Sequence, residues 1–213
     1  AATLRELQGR LRAHQDAKPC VVRQCDKNTW EVDCCPERPL QVAYEVYALD
    51  NSVRAAWLDV QRGFFNSTSL LLQVQGQTQS EHRLELVADE RVPDWQVATA
   101  LAPHKTGRRG FGTYRAADYD ELVDCPVEMG AFWSGTFVAA GIGHRLVVAG
   151  AAPTFDGQRL LDDSRRICET AIRFWHGDGA SAGRSGSSKP PHRDYLFMLN
   201  VVSLALLGLA GVL

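Results

Sequence analysis

Four carboxylates crowd one short stretch, Tyr119-Asp-Glu-Leu-Val-Asp-Cys-Pro-Val-Glu-Met-Gly130, in which Asp120, Glu121, Asp124 and Glu128 gather around the bend that Pro126 fixes. In a partly desolvated cleft, a fixed carboxylate holds a cationic group such as a protonated amine strongly. On an open loop the same group does little beyond solvation. The structural alternative is a short helix with acidic residues at its N-terminus, opened by Asp118 and stopped by Pro126. Both readings stand on the sequence alone.

The six cysteines are Cys20, Cys25, Cys34, Cys35, Cys125 and Cys168, with four of them inside sixteen residues. Gaps of four, eight and zero residues do not make the paired short spacings of a tetrahedral zinc site. The expectation is reduced, partly buried thiols, with Cys34 and Cys35 on opposite faces of a strand. The six histidines are isolated along the chain, and no H-E-x-x-H places two of them one helical turn apart beside a carboxylate base. G-x-S-x-G and a Walker loop are absent, and Gly141-Ile-Gly143 is followed by Leu146 where a dinucleotide fingerprint needs its third Gly. The loop Pro103-His-Lys-Thr-Gly-Arg-Arg-Gly-Phe-Gly112 is rich in Gly and cations, but it reads as a solvated hairpin tip rather than a phosphate cradle. Asn66-Ser67-Thr68 fits a glycosylation sequon.

The elements that would position these groups are mostly short strands. Apolar and β-branched runs bounded by turn residues predict strands over residues 19–25, 29–32, 40–47, 70–75, 83–87 and 95–101. Two apolar strands follow, at 132–140 and 145–149. Leu4, Leu7 and Leu11 suggest a lead-in helix over residues 3–14. The clearest helix is 155–175, with Asp156 as N-cap and a stripe through Leu160, Leu161, Ser164, Ile167, Cys168, Ala171, Ile172 and Trp175. The fold class expected is mostly β: a two-layer antiparallel sheet domain with one C-terminal amphipathic helix, followed by a flexible linker and an apolar segment. The corresponding domains are 1–175, a Gly/Ser/Pro linker over 176–194, and 195–213.

With 213 residues and 45% hydrophobic content the chain can bury one good core. Lys and Arg number 23 against 25 acidic residues, so the basic excess that phosphate-backbone binding requires is missing and no nucleic-acid partner is expected. Residues 195–213 carry no charge and nearly reach bilayer-spanning length. Three readings of that tail are open: a membrane anchor, a lipid-anchor signal with Ser181, Ala182 and Gly183 as attachment residues, or a buried strand over 195–202. The opening Ala1-Ala2-Thr3-Leu4 shows no leader pattern, so a cytoplasmic location is expected, with membrane association through 195–213 as the alternative.

Three segments together resemble the N-terminal region of the glycyl aminopeptidase family, zinc metallopeptidases with a thermolysin-like catalytic domain. They are Val42-Ala-Tyr-Glu-Val-Tyr47 through Trp57-Leu-Asp59, then Gly63-Phe-Phe-Asn-Ser-Thr-Ser-Leu70, then Asp118 through Gly130. Trp95-Gln-Val-Ala-Thr-Ala-Leu101, Phe174-Trp175 and Tyr195-Leu-Phe-Met-Leu199 add to it, the last resembling the strand that opens the catalytic domain. The resemblance implies a noncatalytic N-terminal or truncated part of an enzyme that releases Gly and Ala from peptide N-termini, walling the substrate cleft. Its implied partners are a catalytic metallopeptidase domain, missing or supplied in trans, and the peptide substrate. Zinc is implied for that catalytic domain and no cofactor for this chain, which has neither a G-G-L-E-H-like segment nor a zinc helix. Glu128, and after it Asp124, are the residues expected to anchor a substrate α-amine. The alternative is a nonenzymatic, membrane-anchored interaction module derived from the same domain.

Overall fold

A computed structural model describes residues 11–177, 190 and 192–202. The chain divides into two compact units, Ala1–Arg83 with Arg115–Val127, and Leu84–Tyr114 with Glu128–Leu213. Residues 3–10 of the expected lead-in helix, residues 178–189 and 191 of the expected linker with Ser181, Ala182 and Gly183, and residues 203–213 of the apolar tail lie outside the described residues.

In the first unit, β1 (Arg12–Gln15) turns back into β2 (Lys18–Pro19) and pairs on its other side with β5 (Gln41–Ala43). Asp16 and Ala17 link β1 to β2 with φ of 48° and 62°. Two positive values in a two-residue loop are the type I′ geometry that matches strand twist. Between these strands, β3 (Val22–Asp26) and β4 (Thr29–Val32) form a hairpin with a register shift between Gln24 and Asp26. A second hairpin joins β6 (Ala56–Leu58) to β7 (Arg62–Phe65). Its turn is organised by Asp59, whose carboxylate accepts from the N–H groups of Gln61 and Arg62 and from the Trp57 indole. Burial pushes the Asp59 carboxyl up, but these hydrogen bonds outweigh it and leave the group below its ordinary value. The six-residue helix α1 (Tyr119–Asp124) completes the unit and buries Leu122.

The second unit takes in most of β8 (His82–Leu86), β9 (Gln96–Thr99), β10 (Ala102–Thr106), β11 (Gly112–Ala116) and β12 (Val127–Gly130). Strand β11 lies between β10 and β8, and β12 neighbours β9. Next come β13 (Trp133–Ala139), β14 (Ile142–Ala149), helix α2 (Gly157–His176) and β15 (Asp194–Asn200). Ala140 and Gly141, at φ 49° and 79°, form a second two-residue turn between β13 and β14. Strand β14 pairs antiparallel with β13 and parallel with β15, from Gly143 opposite Asp194 to Ala149 opposite Asn200. A parallel pair needs a crossover, and α2 lies within it. Ala98, Phe132, Val147 and Ala149 form a buried cluster, with Leu196 packed against it.

The mostly β class, the antiparallel pairing and the single long helix match the sequence expectation, and Asp156 caps α2 by accepting from Arg159 N–H at 2.9 Å. Five particulars differ. The strands form several small sheets instead of two layers, and β15 is parallel. Arg12–Gln15 is a strand, because pairing with β2 and β5 overrides the local helical spacing. Of residues 40–47 only Gln41–Ala43 joins a sheet. Residues 70–75 form no ladder: the Tyr44 and Tyr119 hydroxyls donate to the carbonyls of Leu70 and Leu71, and Leu71 N–H turns back to Ser67 O. Cys34 and Cys35 lie in the loop after β4, and both are exposed. Residues 195–200 are strand, with Leu196, Phe197 and Met198 half-buried and Tyr195 and Leu199 exposed, so the tail's first part is less buried than a core strand. Among the described residues no helix is long and apolar enough to cross a membrane.

Helix α2 packs closely on β13, with Gly135 against Leu161 and Gly157 against Trp133. A Cβ at Gly157 would meet the Trp133 ring, which stands edge-on to Phe155 at 5.2 Å between centroids. Gly157→Ala is expected to lower stability by about 1–3 kcal/mol through overpacking. Gly143→Ala, where a Cβ meets nothing within 4 Å, should stay within about 0.5 kcal/mol of wild type in the same thermal unfolding measurement.

Candidate functional site

The carboxylates of residues 118–128 separate into distinct duties. Asp118 is the N-cap of α1: its Oδ1 accepts from Glu121 N–H at 2.8 Å, and Glu121 Oε2 accepts in return from Ala117 N–H at 2.5 Å. That reciprocal arrangement is a close variant of the capping box, and it commits two acids to ordering the helix start. Asp120 and Asp124 are exposed. Glu128, the second residue of β12, is only 1% exposed and is partnered within the chain. Ionised carboxylates are withdrawn from water to that degree only when paired. Asp124 belongs to the first unit and Glu128 to the second.

Helix α1 is fastened to the first unit by polar contacts. Tyr119 N–H donates to Thr78 O at 2.8 Å, its hydroxyl donates to Leu71 O at 3.0 Å, and its ring meets His82 edge-on. The fully buried Ser67 donates its hydroxyl to Cys125 O at 3.1 Å, holding the chain as it leaves the helix. Desolvation raises the Tyr44 and Tyr119 hydroxyls above their ordinary value. Burial, reinforced by Glu121 and Asp124, pushes the Cys125 thiol up to about 11. These shifts keep all three groups neutral and none of them acts as a nucleophile near neutral pH.

The remaining sequence candidates have structural duties. Asn66 of the sequon caps a 3-10 turn (Ser67–Ser69), and its amide donates to Val53 O, so the nitrogen a glycan would occupy is already engaged. The basic Gly-rich loop is the exposed tip between β10 and β11. His144 is buried on β14, stacked on Phe137 at 4.8 Å, with Nδ1 donating to Ile142 O at 2.9 Å. Among the described residues no three His, Cys, Asp or Glu side chains lie where they could hold a metal ion. One face of α2, formed by Arg166, Ile167, Thr170, Ala171, Phe174 and Trp175, is open and largely apolar. Ile167 is 67% exposed, and Phe174 and Trp175 are each 75% exposed, so the part of the helical stripe that holds Ile167 and Trp175 is not covered by the described residues.

Loss of the cap in Asp118→Ala is expected to cost about 1 kcal/mol in unfolding free energy, against less than about 0.5 kcal/mol for Asp120→Asn. Alkylation should rank Cys125 far behind the exposed Cys34 and Cys35 at pH 8. A thiol raised from its ordinary value near 9 to about 11 gives its full stabilisation below pH 9 and loses it as pH rises through 11, which unfolding of wild type against Cys125→Ala will read.

The profile of the peptidase M61 N-terminal domain matches residues 5–131, ending before β13. An aminopeptidase N family protein from Idiomarina loihiensis is 36% identical, superposes with a TM-score of 0.78, and is aligned over 90% of this chain and 30% of its own. The M1 zinc metallopeptidase from Deinococcus radiodurans aligns at 14% identity and a TM-score of 0.48, over 91% of this chain and 47% of its own. The chain therefore spans under a third of the first of these proteins and under half of the second. No curated protein matches it. With more than half of its length matched by the profile, the chain belongs to the peptidase M61 family and carries that family's N-terminal domain.

Proposed function

We propose that this chain is the noncatalytic N-terminal part of a zinc aminopeptidase that releases small residues, Gly and Ala, from peptide N-termini, and that it packs against the catalytic domain and helps wall the substrate cleft. The observation that carries the proposal is Glu128: a carboxylate almost fully withdrawn from solvent, on a strand within the family-matched region. A buried carboxylate discriminates a free α-amine from a blocked one, because the protonated amine adds a Coulomb attraction that the blocked group lacks. Asp124, exposed at the end of α1, is the second choice for that anchor, after Glu128.

Two further features agree with it. The apolar face of α2 is unlike a solvated helix surface and suits coverage by the catalytic part of a longer protein. Strand β15 lies at the edge of its sheet, so chain that follows it has a template on which to continue. In this reading the zinc and its ligands belong to the catalytic domain, and this chain's contribution is binding and orientation. The nonenzymatic membrane-anchored module gains nothing from β15, which pairs with β14 as an ordinary sheet strand.

Glu128→Gln, introduced into a full-length enzyme containing this domain, is expected to raise KM for Gly- and Ala-anilides at least tenfold. The effect on N-acylated substrates, which lack the amine, should be small. Unchanged kinetics in a folded variant would remove Glu128 from substrate binding.

A further inference from the structure

The crowded cysteines are not absorbed by the function proposed above, and the strand register gives them a role. In the β3–β4 hairpin Val22 lies opposite Val32 and Arg23 opposite Glu31. The pairing runs on past the named strands, since Asp33 N–H donates to Val21 O at 3.0 Å. Continued one step into the loop after β4, the same register sets Cys20 and Cys34 as the next opposed residues.

The type of position follows from the backbone bonds. Within a strand, successive residues turn their N–H and C=O groups to alternate sides. Val21 turns its carbonyl toward Asp33, whereas Cys20 turns its N–H the other way, to Ala13 O at 2.8 Å. A Cys20–Cys34 pair on this extended register would be a non-hydrogen-bonded one, the antiparallel position where Cα atoms are about 4.5 Å apart and side chains approach most closely. Disulfides require Cα separations of about 4.4–6.8 Å.

A second set of contacts holds both arms to the same strand. Ala13 of β1 binds Cys20 as described. Gln15 of β1 clamps Cys35, its Oε1 accepting from Cys35 N–H and its Nε2 donating to Cys35 O, each at 2.8 Å. The same Nε2 also donates to Arg38 O. Cys25 is five residues along the strand from Cys20, on the order of 16 Å away, and out of reach.

We propose that Cys20 and Cys34 are a redox pair that closes a cross-strand disulfide, with a low-molecular-weight disulfide such as oxidised glutathione as co-reactant. The thiolate of the exposed Cys34 attacks one sulfur of the small disulfide, forming a mixed disulfide and releasing one small thiolate. The Cys20 thiolate then attacks the Cys34 sulfur, closes the protein disulfide and releases the second. Two protein thiols are oxidised, one small disulfide is reduced to two thiols, and the two thiol protons pass to those products. Closure staples the loop 20–34 without moving the strands.

The test equilibrates the full chain in glutathione buffers running from reduced to oxidised, quenches with acid, counts thiols in denaturant, and maps cross-linked tryptic peptides. The expected result is a fall from six thiols to four, with the peptide bearing Cys20 linked to the peptide bearing Cys34. The link should persist in C25S and C35S and vanish in C34S and C20S. A Cys20 link that survives in C34S, a Cys34–Cys35 disulfide, or glutathione adducts with no internal link would each overturn the proposal.

Discussion

Strand β14 has neighbours on both edges and covered faces above and below: Leu146, Val147, Val148 and Ala149 in succession are at most 5% exposed. A strand buried on both faces cannot alternate apolar with polar residues, and its polar exception must be internally satisfied. His144 is that exception, bonded to Ile142 O and stacked on Phe137. Much of the second unit follows from this requirement. Strand β13 covers one edge through a tight Ala-Gly turn, β15 covers the other in parallel, and the parallel pairing demands the crossover that contains α2. Helix α2 then seats one side on Trp133 and leaves Ile167, Phe174 and Trp175 facing outward.

The acidic stretch shows how one sequence feature divides between architecture and chemistry. Asp118 and Glu121 order the start of α1, and Glu121 with Asp124 helps to keep the Cys125 thiol protonated. Glu128 is set apart by burial: exposed carboxylates are inexpensive and carry little information, whereas one at 1% exposure exists only because its surroundings stabilise it. That asymmetry, rather than the number of acids, is why the proposed function rests on Glu128.

Much of this was legible in the sequence. The helix from Asp156, the short helix before Pro126, the hairpin tip at the basic loop and strand Thr29–Val32 all carry local signals, such as caps, turn residues and periodicity, that tertiary packing leaves in place. Where the reading failed, long-range partners decided. Residues 70–75 look like a strand, but tyrosine hydroxyls from residues 44 and 119 take their carbonyls. Residues 12–15 look like the end of a helix until β5, distant in sequence, pairs with them. Periodicity placed Ile167 and Trp175 in the stripe of α2, and it could not tell a face buried in this chain from an apolar face left exposed by it. The candidate site was visible as an acidic cluster, but the distinction between capping acids and the buried one required burial, which sequence does not encode locally.

The function proposed for this chain is binding and positioning without catalysis. Its most direct test is zinc content together with Gly- and Ala-anilide hydrolysis by the purified chain, with and without a chelator. The account expects no bound zinc and no turnover. Stoichiometric zinc accompanied by chelator-sensitive hydrolysis would contradict it and make the chain an enzyme in its own right.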